Sequence, residues 1–221
     1  MKRFLAAVAL VAALMVPGMA AAEGTGLYLA PKFLLSLQNT GDISKDNAPF
    51  SGSMDRHDQF TMGGALAVGF DFWQYYLVPL RVELELGLRG NNQYEWDIYR
   101  AGGTGTVKGT WNSTTLFANL YYDFHTDFGL TPYVGGGLGM AFNYAEYKWN
   151  QGGWAGSAND TMTNFAWNLG VGVSYSFNEN LAVDLGYRFV SLGHNEVSLG
   201  NMSFENDPYN NEFMLGLRFG F

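Results

Sequence analysis

The sequence predicts an all-β protein, eight antiparallel strands closing as an up-and-down transmembrane β-barrel behind a cleaved signal peptide. Three observations predict it: eight segments with apolar residues at every second position, connections that alternate between long and short, and an export-type N-terminus. The N-terminus comes first in the chain. Lys2 and Arg3 form a positive n-region, Phe4 to Val16 an apolar h-region, and Ala20-Ala21-Ala22 a small-residue cleavage site ahead of Glu23. Those regions in that order make a secretory signal peptide, too short to anchor in a membrane. The expected organisation is a signal peptide at 1–22 and one barrel domain at 23–221.

Eight segments carry the period of 2 that marks a strand with one apolar face. Their apolar rows begin at Leu27, Phe60, Leu80, Leu116, Pro132, Phe165, Leu181 and Phe213, and the last ends on Phe221. No charged residue interrupts any row. Each row supplies about five outward positions, enough for a tilted strand to cross a bilayer. Pro31, which cannot donate to a ladder, is the awkward member of the first row. Residues 38–59, 90–114, 149–163 and 192–210 read as long polar loops, whereas 73–77, 125–130 and 178–180 are short turns. Long loops at one end and short turns at the other is the arrangement of outer-membrane barrels. The terminal strand then closes the ring against the first, leaving no edge exposed to hydrocarbon. The composition agrees, with 16% aromatic residues and 29 glycines available for girdles and for a narrow interior.

Removing Lys2 and Arg3 from the 12 basic residues leaves 10 against 20 acidic ones, a net charge of −10 that argues against nucleic acid as a partner. The chain has no cysteine, so no disulfide contributes to it. The complementary rows face the lumen. Their basic members are Lys32, Arg81, Arg89, Arg188 and Arg218, and their acidic members are Glu83, Glu85, Asp123, Asp184 and Glu212. Eight strands enclose only enough space for side chains, so these ten are expected to form a hydrogen-bonded ion-pair network. Gly135, Gly137, Gly139, Gly170 and Gly172 would leave room for it. An ion path or proton relay is the functional reading of the same charges, and a satisfied polar plug the structural one.

The stretch TTLFANLYYDFHTDFGLTPYVGGGLGMAFNY at 114–144 resembles the eight-stranded opacity-type surface-antigen family of outer-membrane barrels. LAVDLGYRFVSLG at 181–193 and LGLRFGF at 215–221 are similar to that family's seventh and eighth strands. The resemblance implies a surface barrel whose activity lies in its external loops, and no binding residue carries over from it. It also implies that Phe219 and Phe221 belong to the assembly signal read by the barrel-assembly machinery. The related family with a periplasmic peptidoglycan-binding domain matches only in part, because this sequence stops with the barrel.

Three histidines bear on enzymatic readings. His125 falls in a short turn and reads as a solvated turn residue. His57 lies among Ser51, Ser53, Asp55 and Asp58, and His194 near Ser191, Glu196 and Ser198, types that could build a nucleophile, base and acid. The His194 set does not match the His-x-Ser-Asn arrangement of lipid A deacylases. The loop acids Asp42, Asp46, Asp55, Asp58, Glu95, Asp97, Asp160, Glu196, Glu205 and Asp207 have no dense metal-ligand spacing. Trp96, Trp111, Trp149 and Trp154 stand among them or at their strand ends and hint at partner or glycan contact, or simply pack on lipopolysaccharide.

The resulting expectation is an outer-membrane protein with a plugged polar lumen, no cofactor, no metal and no catalytic residue. Its role would be structural or interactive at the cell surface, as a monomer among outer-membrane lipid and lipopolysaccharide, with an extracellular ligand met through the loops. The alternatives are a narrow small-solute or ion channel and a lipid A- or phospholipid-modifying enzyme.

Overall fold

The structure, a computed structural model, describes residues 25–39, 44–46, 58–100, 103–151, 154–199 and 202–221. The expected signal peptide at 1–22 lies outside the described residues. The strands are β1 (Leu27–Asn39), β2 (Ser44–Asp46), β3 (Asp58–Asp71), β4 (Leu80–Arg89), β5 (Asn92–Arg100), β6 (Gly103–Asp123), β7 (Leu130–Gln151), β8 (Trp154–Asn178), β9 (Leu181–Ser191), β10 (Asn195–Leu199), β11 (Met202–Asn206) and β12 (Tyr209–Gly220), with one helical turn, α1 (Trp73–Tyr76). Eight of them form the ring β4–β3–β1–β12–β9–β8–β7–β6, closed by β4 against β6. Every neighbouring pair in the ring is antiparallel.

The two chain ends meet in the closure between β1 and β12, whose register runs from Tyr28↔Gly220 to Asn39↔Tyr209. Phe221 donates its N–H to the Leu27 carbonyl at 3.0 Å, and its own carbonyl accepts from the Thr25 N–H at 2.6 Å. The β1–β12 ladder pauses between Leu29↔Phe219 and Lys32↔Gly216 and resumes in the same register. Pro31 sits in that pause, so its missing N–H costs the closure no shift.

The apolar rows face outward. Leu84, Leu138 and Leu169, all mid-strand, are 58%, 62% and 60% exposed. An apolar belt of this extent is a surface solvated by lipid, not water. Closing the sheet pairs the backbone groups of every strand inside the hydrocarbon region.

The long polar stretches are not loops throughout, which corrects the sequence reading. β5 and the first half of β6 occupy most of 90–114, and β7 and β8 carry 149–163 to within two residues of each other, at Gln151↔Trp154. These segments are rich in Tyr, Trp and Thr, which suit strands whether or not lipid covers them. Above the membrane both sheet faces meet water, so the outer row need not be apolar. Four strands, β5 to β8, therefore rise as a wall on one side of the mouth. On the other side, β10 and β11 form a hairpin out of 192–210 and pair with β2, within 38–59, as a separate three-stranded sheet.

β5 continues β4 through a bulge. Leu88 pairs with Thr114 and Asn92 with Trp111, so Gly90 and Asn91 hold one residue more than the facing stretch of β6. The extra residue puts both Arg89 and Asn92 on the inner face.

Candidate functional site

Inside the ring the structure places all ten lumen charges and joins each to a counter-charge. Lys32 Nζ lies 2.5 Å from Glu83 and 2.7 Å from Glu85. Arg188 bridges Glu85 at 2.6 Å and Glu212 at 2.8 Å, and Arg89 approaches the other oxygen of Glu212 at 2.5 Å. Arg81 holds Asp123 with two bonds, of 2.5 Å and 3.0 Å, and reaches Glu83 at 4.0 Å. Arg218 lies 3.7 Å from Asp184 near the periplasmic mouth. Neutral donors complete the carboxylates: Tyr28 Oη donates to Glu83 at 2.9 Å and Ser36 Oγ to Glu212 at 2.8 Å. Arg81, Arg188, Glu85 and Glu212 are fully buried. Charges so far from water persist only when paired in this way.

Aromatic rings hold the cations from the other side. The Arg81 guanidinium sits 5.0 Å from the Tyr121 ring centre and 5.1 Å from that of Tyr133, and Arg188 sits 5.8 Å from Phe117. The glycine-lined wall makes room mainly for these rings, where the sequence suggested room for long charged chains. A Cβ on Gly135 would stand 2.2 Å from Tyr121, one on Gly172 2.4 Å from Tyr133, and one on Gly139 2.8 Å from Phe117. Gly170 alone among them faces a charged residue, Arg188. The network encloses a cavity of only about 10 Å³ beside Lys32, Arg81 and Glu83, space for one water.

Above the plug the inner face changes character. β5 and β6 present Asn92, Tyr94, Trp96 and Trp111 there, with Trp96 and Trp111 nearly perpendicular at 5.5 Å between ring centres. Trp149 and Trp154 stand on β7 and β8, but their side chains lie outside the described residues.

The histidines separate. His57, with Ser51, Ser53 and Asp55, lies outside the described residues, as does Asp42. His125 belongs to a short turn, but it stacks on Trp73 of α1 at 3.8 Å and 13°. His194 Nδ1 lies 2.9 Å from Asp207, an acid the sequence reading did not connect with it. The side chains of Glu196 and Ser198 lie outside the described residues. No group of three or more His, Asp or Glu among the described residues is arranged to hold a metal ion.

Residues 6–221 match the outer membrane protein beta-barrel domain. The outer membrane protein PagN of Salmonella typhimurium is 28% identical over 222 residues, covering 89% of this chain and 90% of PagN. Among solved structures, the outer membrane protein AlkL in lipid bilayers superposes with a TM-score of 0.52 at 16% identity, covering 91% of this chain and 92% of AlkL. OprG of Pseudomonas aeruginosa superposes at 0.50 and 16% identity, covering 90% and 98%. These two likenesses concern the fold. The chain belongs to the outer membrane protein beta-barrel domain family and is a protein of the Gram-negative outer membrane.

Proposed function

We propose that this barrel is a non-conducting, non-enzymatic surface protein that acts as a monomer and meets an extracellular ligand through its raised wall. The observation that carries this is the contrast along its axis: a lumen crossed by ten paired charges lies beneath a wall in which β8 runs 25 residues. A path for ions would require several buried pairs to open together. Lipopolysaccharide surrounds the outer face in this reading, and Phe219 and Phe221 serve recognition by the assembly machinery. Conductance of the refolded barrel in a planar bilayer is the test, with folding checked by heat-modifiable gel mobility. Silence is expected, and steady salt-dependent steps would overturn the proposal in favour of a narrow channel. The enzyme reading keeps one specific observation, the contact between His194 and Asp207. Mass spectrometry of lipid A from cells with and without the gene addresses it, and identical spectra are expected.

A further inference from the structure

We propose that the β3–β4 connection is a membrane anchor: a helical turn lying in the interface of the periplasmic lipid leaflet, with Tyr75, Tyr76 and Leu77 among the headgroups and acyl ends. It concerns the end of the barrel opposite the wall and stands independently of any extracellular ligand. Residues 72–79 read FWQYYLVP, without one charge. Solvated turns favour Asn, Asp, Gly and Ser, and Asn178-Glu179-Asn180 at the β8–β9 turn is polar throughout. Tyr75, Tyr76 and Leu77 are instead 56%, 65% and 71% exposed, and no residue of α1 is buried. An apolar cluster left this open marks a contact surface.

The backbone points the same way. Leu77 closes α1 at φ +53° and ψ +27°, in the left-handed region, and donates its N–H to the Trp73 carbonyl at 3.1 Å. Among the described residues it is the one non-glycine with a positive φ. Helices that end this way favour glycine, because a Cβ is crowded there. Leucine takes that strain while its side chain stands mostly clear of the protein. Strain kept for an exposed apolar side chain indicates a contact made outside the barrel.

The neighbours of the turn identify what it contacts. Tyr76 packs on Phe72 with ring centres 6.2 Å apart, and Phe72 on Phe70 at 4.8 Å. Phe70 and Phe72 end the outward row of β3, so the cluster carries the lipid belt past the end of its strand. Gln74 instead lines the periplasmic mouth with Asn178 and Glu179. The helical turn is therefore amphipathic, and its apolar side is continuous with lipid. Trp73 stacks on His125, and the Asp123 N–H donates to the Pro79 carbonyl at 2.9 Å, which ties this turn to the next one at 124–129. Phe128 in that turn is 76% exposed. Because β4 and β6 are neighbours in the ring, the two turns form one apolar arc of the rim, with the polar β8–β9 turn outside it. Tryptophan and tyrosine are enriched at membrane interfaces, and a segment without charge requires no anionic headgroup.

The chain has no cysteine, so a single introduced thiol carries a spin label alone. Tyr76→Cys, Leu77→Cys and Glu179→Cys, each in the full barrel in phosphatidylcholine nanodiscs, are compared by power-saturation EPR with oxygen and a water-soluble nickel chelate. Labels at 76 and 77 are expected about 5–10 Å inside the headgroup boundary, the depth of interfacial helices. The label at 179 is expected in water. Tyr75→Ser combined with Leu77→Ser should bring the label at 76 out into water as well. Folding of every variant is checked by heat-modifiable gel mobility. The proposal is overturned if labels at 76 and 77 in a folded barrel meet nickel as often as the label at 179, an outcome that would leave the cluster to a periplasmic protein. It is equally overturned if the double serine variant leaves the depth of the label at 76 unchanged.

Discussion

β4 and β5 form one continuous side of the molecule, yet their inner rows differ completely across the bulge at Gly90. Below it the row is Arg81, Glu83, Glu85, Gly87 and Arg89; above it, among the described side chains, the row is Asn92, Tyr94 and Trp96. Both rows face β6 and both alternate at every second residue. The difference comes from closure. Around β4 all eight strands are present, water is excluded, and each charge must meet a counter-charge. Around β5 only half the ring continues, water reaches the wall, and rings lying over glycine suffice. The chemistry of an inner face in this barrel thus follows how many strands surround it, not the strand that carries it.

The sharpest way to break the comparison is to remove a charge below the bulge. Glu212→Gln keeps the shape but deprives Arg89 and Arg188 of their shared anion, at 2.5 Å and 2.8 Å. Urea unfolding in detergent should record a loss of about 3–5 kcal/mol. A loss of less than about 1 kcal/mol would mean that these charges are hydrated and that the lumen resembles the wall after all. Tyr28→Phe comes next, since it removes one hydrogen bond to the buried Glu83 carboxylate. The same measurement should give about 1.5–3 kcal/mol, the range for a bond to a charged group.

Two glycines then set plug against wall directly. A Cβ on Gly137 would stand 1.9 Å from Asn119 Oδ1 and 2.7 Å from Asn168 Nδ2, both buried, and 2.9 Å from the Ala118 carbonyl. Gly137→Val should therefore cost about 1–3 kcal/mol, as overpacking does. Gly109→Ala meets only the far end of the Trp111 ring. That ring can swing aside, so the change should stay within about 0.5 kcal/mol. Equal losses at the two sites would contradict a tight plug beneath a looser wall.

Much of this was legible in the sequence because lipid imposes a strict rule. An unbroken apolar outer row identifies a crossing strand, and its complement identifies the lumen residues, so the strands and the ten lumen charges follow from parity alone. Which charge meets which does not follow. Arg188 contacts Glu85 across 103 residues, and that meeting depends on strand register and on side-chain reach across the lumen. The wall was read as loop because the rule stops at the membrane surface, where Glu95 and Lys108 can occupy an outer row. One signal there was available: Gly109 and Trp111 stand two apart on a strand, the spacing that lets a ring lie over a glycine on the same face.

The smallest expected effect belongs to His194, and it separates a surface contact from a catalytic one. Its bond to Asp207 joins the two legs of the β10–β11 hairpin, where the Leu192 N–H already donates to the Pro208 carbonyl at 3.1 Å. The two side chains are 55% and 79% exposed, and exposed pairs of this kind contribute under about 1 kcal/mol. His194→Ala should accordingly leave the unfolding midpoint almost where it was. It should also leave lipid A unaltered in cells expressing the variant, as expected of a solvated surface contact. If acylation of lipid A changes while stability does not, the pair acts as base and orienting acid, and chemistry belongs on this rim beside recognition.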